Sequence, residues 1–167
     1  MISPDEVRES SEKNEKENLE FRTYLKINAN EKELDQQFYE LHTELFEAYD
    51  CGKCRNCCKV YKGSIPWADV RRDARHLHMP YRQFMEKYLE EEDDNGIYET
   101  KHIPCDFLNE NNECILGECK PENCKKFPYT NQPERLQSLY SLIEAVSVCP
   151  VAYEIYERLK KMYGFKA

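Results

Sequence analysis

The chain has 167 residues and a mass of 20.0 kDa, and it is 40% hydrophobic and 34% charged, with nine cysteines and a net charge of -8. That length fits one domain, or one domain with an appendage, and the hydrophobic share lies below the usual globular level. The acidic balance lacks the basic footprint of a nucleic-acid binder, and no apolar run approaches the ~18 residues of a membrane helix, so neither nucleic acid nor a membrane is expected as a partner.

The first 20 residues hold seven acids and three bases. Residues 1–29 read as a polar N-terminal arm, of which residues 1–20 are either a frayed helix capped at Ser3 with Pro4 at its first position or disordered. Phe21, Tyr24, Leu25 and Ile27 form its apolar cluster. The opening residues have no apolar stretch of signal-peptide type, so a cytoplasmic location is expected, where thiols stay reduced. Residues 30–167 read as a single cysteine-cluster metal-binding domain. Asn30 caps its first helix, with Glu33 three residues on as a loose capping box. Leu34, Phe38, Leu41, Leu45, Phe46 and Tyr49 line one face of that helix.

A second helix is expected to open at Ser64-Ile65-Pro66-Trp67, with Val70, Ala74 and Leu77 inward, and to end at Met79-Pro80. Tyr81, Phe84, Tyr88 and Leu89 mark a third. The acids Glu90, Glu91, Glu92, Asp93 and Asp94 are contiguous, unlike the alternating ligands of a calcium loop, and read as a solvated turn before Asn95-Gly96. Residues 97–132 are rich in turns, cysteines and prolines and read as a segment folded around something. Leu139, Leu142, Ile143 and Val146 begin the next helix. Pro150 breaks it, and Ala152, Ile155, Tyr156 and Leu159 carry the last one to Gly164.

The strongest signal is Cys51-Gly-Lys-Cys54-Arg-Asn-Cys57-Cys58. A pair of cysteines separated by two residues brings two sulfurs to one metal through a tight turn, as in structural zinc sites, and the same spacing serves iron-sulfur clusters. Spacing therefore gives metal, and leaves zinc or iron open. In an extended segment, adjacent side chains point to opposite sides, so Cys57 and Cys58 are expected to face two different sites, or one of them is not a ligand. Cys105, Cys114, Cys119, Cys124 and Cys149 supply partners, enough for two four-ligand sites with one thiol left over. Where a segment has little core, ligation substitutes for burial. His42, His76 and His78 are possible extra ligands. His102, three residues before Cys105, is the best extra ligand. Lys53, Arg55, Lys59 and Lys62 around the first cysteines read as solvated.

These motifs resemble the bacterial cysteine-cluster family named for its CxxCxxCC motif, described as zinc- or iron-chelating. The motif is whole at Cys51, Cys54, Cys57 and Cys58. Trp67-Ala-Asp69-Val-Arg71-Arg72 and Tyr81-Arg-Gln-Phe84-Met-Glu-Lys-Tyr88 are similar to family segments. So are Pro104-Cys105-Asp-Phe107-Leu108 through Cys114-Ile115, and Lys120-Pro121-Glu-Asn-Cys124-Lys125-Lys-Phe127-Pro128. A late cysteine, here Cys149, is common in the family. The resemblance covers about residues 50–150. It departs at Lys120 and Lys125, where the family has arginines, and at Cys119, an added thiol. A lysine does not reproduce a planar bidentate contact.

The fold class expected is mostly α, with helices packed around an irregular cysteine-rich centre. The resemblance implies a metal-chelating domain with zinc or iron, an iron-sulfur cluster included, held by Cys51, Cys54, Cys57, Cys58, Cys105, Cys114, Cys124 and Cys149. It implies no settled reaction. A flagellin lysine N-methylase carries a related cluster in a considerably larger chain. The chain has no Gly-rich dinucleotide loop, no phosphate-binding loop of Walker type and no histidine-anchored triad. Three alternatives stand beside the metalloprotein: an iron-sulfur-dependent enzyme or accessory protein whose acidic surface meets a basic partner, a zinc-supported adaptor for a protein partner, and a thiol redox module cycling Cys51-Cys54.

Overall fold

The structure is a computed structural model and describes residues 1–90 and 93–166. Glu91 and Glu92 of the acidic run, and Ala167, lie outside the described residues. Helices dominate: α1 (Val7–Lys13), α2 (Glu15–Asn28), α3 (Glu31–Glu47), α4 (Cys51–Cys54), α5 (Asn56–Val60), α6 (Trp67–His76), α7 (Tyr81–Tyr88), α8 (Glu122–Lys126), α9 (Leu139–Val146) and α10 (Pro150–Met162). Strands β1 (Ser64–Pro66) and β2 (Ile97–Glu99) make a two-stranded antiparallel sheet. The mostly α class expected from periodicity is the class observed. The chain divides into two units, the first formed by Met1–Cys54 with Pro128–Ala167 and the second by Arg55–Phe127.

Unit 1 is a helical assembly in which α10 packs on α1, α3 and α9, and α2 packs on α1 and α9. The Asn30 side chain accepts from the amides of Lys32 at 3.0 Å and Glu33 at 3.2 Å. The donors at the start of α3 therefore find partners, and the helix begins where the cap predicts. Leu34 and Phe38 on its inner face are fully buried. Residues 7–28 fold as α1 and α2, with Val7, Phe21 and Leu25 fully buried. Phe21 meets Tyr156 edge-on with ring centroids 5.2 Å apart, and Tyr156 donates its hydroxyl to the Asn18 carbonyl at 3.0 Å. Asp35 receives the amides of Glu134 at 2.9 Å and Arg135 at 2.8 Å, anchoring the return of the chain to α3. Pro150 is the first residue of α10, where its missing N–H costs nothing.

Unit 2 is built on the sheet and on α6 and α7. Its core gathers Ile65, Val70, Ala74, Phe84, Phe107 and Leu116, with Phe84 and Phe107 stacked at 5.7 Å. Here one expectation is corrected: Ser64–Pro66 does not open a helix. It pairs as a strand, Ile65 opposite Tyr98, and the helix starts at Trp67. The partner strand lies some thirty residues downstream, out of reach of a local periodicity count. Asp93 makes the turn before β2, accepting from the amides of Asn95 at 2.9 Å and Ile97 at 2.8 Å.

The inner face of α6 carries an ionic cluster. Arg72 pairs with Asp69 at 2.8 Å and Asp73 at 3.1 Å, and donates to the Cys119 carbonyl at 2.9 Å. Asp69 also accepts the Glu122 amide at 3.0 Å. Both carboxylates are buried. One oxygen of Asp73 has no partner among the described residues.

Burial pushes the Asp73 carboxyl up from 3.8 to about 6, with Arg72 opposing. A native pKa above the unfolded one means a group that favours folding while protonated. That contribution is complete below the unfolded value and is lost as pH rises through about 6. Asp73→Asn is therefore expected to flatten the profile. Between about pH 7 and about pH 4, the wild type should gain up to about 3 kcal/mol relative to the variant in urea unfolding. Parallel profiles would count against this role.

Candidate metal centres

The CxxCxxCC segment is helical, not extended. Asp50 accepts the amides of Gly52 at 2.8 Å and Lys53 at 3.3 Å, starting α4. Arg55 then takes a left-handed backbone (φ 51°), which is uncommon for a residue with a side chain. The chain re-enters helix as α5. On that helix the sulfurs of Cys57 and Cys58 stand 4.0 Å apart, so the extended backbone on which their opposite facing was argued is not the one found. The motif is divided in another way: Cys51 and Cys54 belong to unit 1, Cys57 and Cys58 to unit 2.

In unit 1 Cys149, just before α10, lies within electrostatic reach of Cys51 and Cys54. Burial pushes its thiol up to about 12, the amides of Ala152 and Val151 oppose, and Cys51 and Cys54 add to the rise. Tyr49 belongs to the same group. Burial raises its hydroxyl pKa first, and Cys54, Cys149 and Cys51 raise it further. Its oxygen is buried, and Cys54 is the thiol that acts on it most strongly. The ring is held by Phe46, edge-on at 6.4 Å.

In unit 2, Cys58, Cys105 and Cys124 are neighbours. The Cys105 amide donates to the Cys58 carbonyl at 2.8 Å. Cys105 is buried and receives the Thr100 hydroxyl at 3.9 Å. Gly63 presses on it so closely that an added Cβ would meet its sulfur at 3.0 Å. The Cys124 thiol donates to the Ser64 carbonyl at 3.8 Å, and burial pushes its pKa up to about 11. The Cys58 thiol is raised by the adjacent Cys57 and then by burial, while Lys120 and Arg55 act the other way. Lys120 also opposes the rise at Cys124. Cys114 bridges to Leu108 and acts electrostatically on Cys105. Cys119 lies in a 3-10 turn (Gly117–Cys119), where its carbonyl serves Arg72.

His102 is exposed, and its Nδ1 lies 2.7 Å from an Asp106 oxygen. His42 pairs with the Thr130 hydroxyl at 2.7 Å and His76 with the Ile115 carbonyl at 3.2 Å. Sequence reading missed Tyr49, because a tyrosine on an apolar helix face reads as core. It also missed Gly63 and Thr100, which no cysteine spacing marks.

All nine cysteines are described as thiols, Cys105 and Cys149 buried and Cys51 exposed. Among the described residues no three Cys, His, Asp or Glu side chains already stand at metal-holding spacing. The donor set is nevertheless thiol in kind, as a thiophilic ion requires: Cys51, Cys54 and Cys149 act on one another in unit 1, and Cys58, Cys105 and Cys124 do so beside Lys120 in unit 2. Among the described residues no helix is long and apolar enough to cross a membrane.

No curated protein and no solved structure matches the chain. A family model described as "Putative zinc- or iron-chelating domain" matches residues 50–149, a span that includes every one of these cysteines. The chain belongs to the CxxCxxCC family of zinc- or iron-chelating domains.

Proposed function

We propose that the chain is a cytoplasmic thiolate metalloprotein with two centres, Cys51, Cys54 and Cys149 in the first, and Cys58, Cys105 and Cys124, with Cys57 and Cys114 beside them, in the second. The observation that carries this reading is the sorting of the cysteines into two groups, one in each unit. A bound zinc ion supplies cross-links that hold irregular chain in place, and an iron-sulfur cluster would supply electron transfer as well.

The residues around the thiols have definable tasks. Lys120 offsets thiolate charge beside Cys58 and Cys124, as a point charge and not as the bidentate fork of the family's arginine. Burial keeps Cys124 and Cys149 protonated at neutral pH in the absence of metal, so loading releases protons.

The test is metal analysis with an absorption spectrum on protein purified without oxygen. About two zinc per chain and no colour support two structural centres. Iron with acid-labile sulfide and a brown sample support the cluster reading. Negligible metal overturns the proposal.

A further inference from the structure

We propose that the outer face of α6 and α7 is a docking surface for an acidic segment of a partner protein, whose carboxylates meet Arg71, Arg75 and Arg82 while an apolar side chain enters beside Trp67. The face lies wholly within unit 2. Trp67, Arg71 and Arg75 follow one another at four-residue steps on α6, so they share one stripe of the helix, and all three are exposed. Helix α7 packs on α6 and adds Tyr81, Arg82 and Met85. Two hollows adjoin there, with Tyr81 common to both. The first, of about 470 Å³, runs past Arg71, Arg75 and Met79. The second, of about 450 Å³, lies among Trp67, Arg82, Met85 and Tyr98. Either is large enough to take a side chain or a small ligand.

Composition marks the face as a protein interface. Among the described residues the two linings contain no lysine, aspartate or glutamate. Interface cores are rich in aromatic residues, methionine and arginine and poor in lysine and acids, and tryptophan, tyrosine and arginine are their strongest contact residues. Trp67 stays 47% exposed although its ring packs on Tyr98 at 6.2 Å. Charge sets the sign of the partner. Among the described residues no carboxylate pairs with Arg71, Arg75 or Arg82, whereas Arg8, Arg72 and Arg158 hold one at 3.0, 2.8 and 2.7 Å. The three unpaired cations are gathered together. Arg71 lies over the Tyr81 ring at 5.2 Å, Arg82 Nε donates to the Tyr81 hydroxyl at 3.3 Å, and Arg75 Nε donates back to the Arg71 carbonyl at 3.2 Å. Like charges so grouped repel one another, and carboxylates arriving from outside would relieve that repulsion through charge-assisted hydrogen bonds. A nucleic-acid strand fits less well. A net charge of -8 opposes its dense phosphates more than a few carboxylates, and Arg71 already covers the Tyr81 ring on which a base would stack.

The experiment uses the full chain as purified and reads the fluorescence of Trp67, its sole tryptophan. The probe is a short synthetic peptide of glutamates interrupted by one phenylalanine and one leucine. A twin with lysine for every glutamate and a thymidine oligonucleotide are titrated beside it. Expected is a saturable shift of the Trp67 emission with the acidic peptide, weakening as salt rises, and none with the lysine twin. Arg71→Gln combined with Arg82→Gln should weaken binding about tenfold or more. Lys26→Gln combined with Lys161→Gln, an equal change of net charge placed in unit 1, should leave it unchanged. All four positions are exposed, so both variants should melt with the wild type. The salt series and the lysine twin test the inference with no substitution at all. No saturable response to the acidic peptide at millimolar concentration overturns it, and so does an equal response to the two peptides or an equal loss in the two double variants. Tighter binding of the oligonucleotide overturns it in favour of a nucleic-acid face. A concentration-dependent dimer that Trp67→Ser abolishes overturns it in favour of a contact between copies of the chain.

Discussion

Cys124→Ser is expected to remove one metal equivalent and to unfold unit 2. The segment that carries this cysteine is α8, five residues long, in which no residue is fully buried and Cys124 is half-buried. What ties it to the sheet is polar and local: Asn123 Nδ2 donates to the Ser64 hydroxyl at 2.9 Å, and the thiol reaches the Ser64 carbonyl at 3.8 Å. Such bonds contribute about 0.5–1.5 kcal/mol each. A structural metal contributes on the order of 10 kcal/mol, comparable with the about 5–15 kcal/mol net stability of a whole domain. Metal stoichiometry and amide hydrogen exchange should therefore fail together in this variant. Cys149→Ser should instead remove the other equivalent and leave exchange protection in unit 2 intact. Full stoichiometry in Cys124→Ser would take Cys124 off the ligand set.

Arg72→Met is expected to cost about 3–5 kcal/mol, the usual consequence of leaving a buried charge without its partner. Arg72 is the only cation paired with Asp69 or Asp73 among the described residues, and both carboxylates are buried. It also holds the Cys119 carbonyl, and Asp69 holds the Glu122 amide, so the damage extends into the chain leading to Cys124. Arg72→Lys should recover only part of the loss, because a point charge cannot reach both carboxylates and the carbonyl with separate N–H groups. Urea unfolding measures both variants. A loss below about 1 kcal/mol in Arg72→Met would show that the pairs are screened like surface salt bridges.

Much of the frame was legible because its causes are local. The Asn30 cap and the apolar face of α3 lie within one stretch of chain, and the same holds for Tyr81 to Tyr88 in α7. The break at Pro150 is also local, since it follows from a missing N–H. Strand β1 was not legible because its cause is Ile97–Glu99, a distant partner with no alternation to announce it. Three residues form too short a run to show a period. The cysteines announced a metal through spacing, and their sorting into units 1 and 2 depends on where the chain doubles back. Tyr49 is the clearest case of a residue read correctly by pattern and incompletely by chemistry. It ends the apolar face as expected, and its hydroxyl is left among thiols.

Unit 2 is a continuous stretch set inside a discontinuous unit 1, and near its two ends the rings of Tyr61 and Phe127 meet at 5.9 Å. The consequence is temporal. During synthesis every cysteine of the inserted unit is made before Cys149. At about 5–20 residues per second, Cys124 precedes Cys149 by roughly one to five seconds. On the proposed two-centre reading, the thiols of the inserted stretch are complete first, while Cys51 and Cys54, although made earliest of all, wait for Cys149 and for the helix that begins beside it.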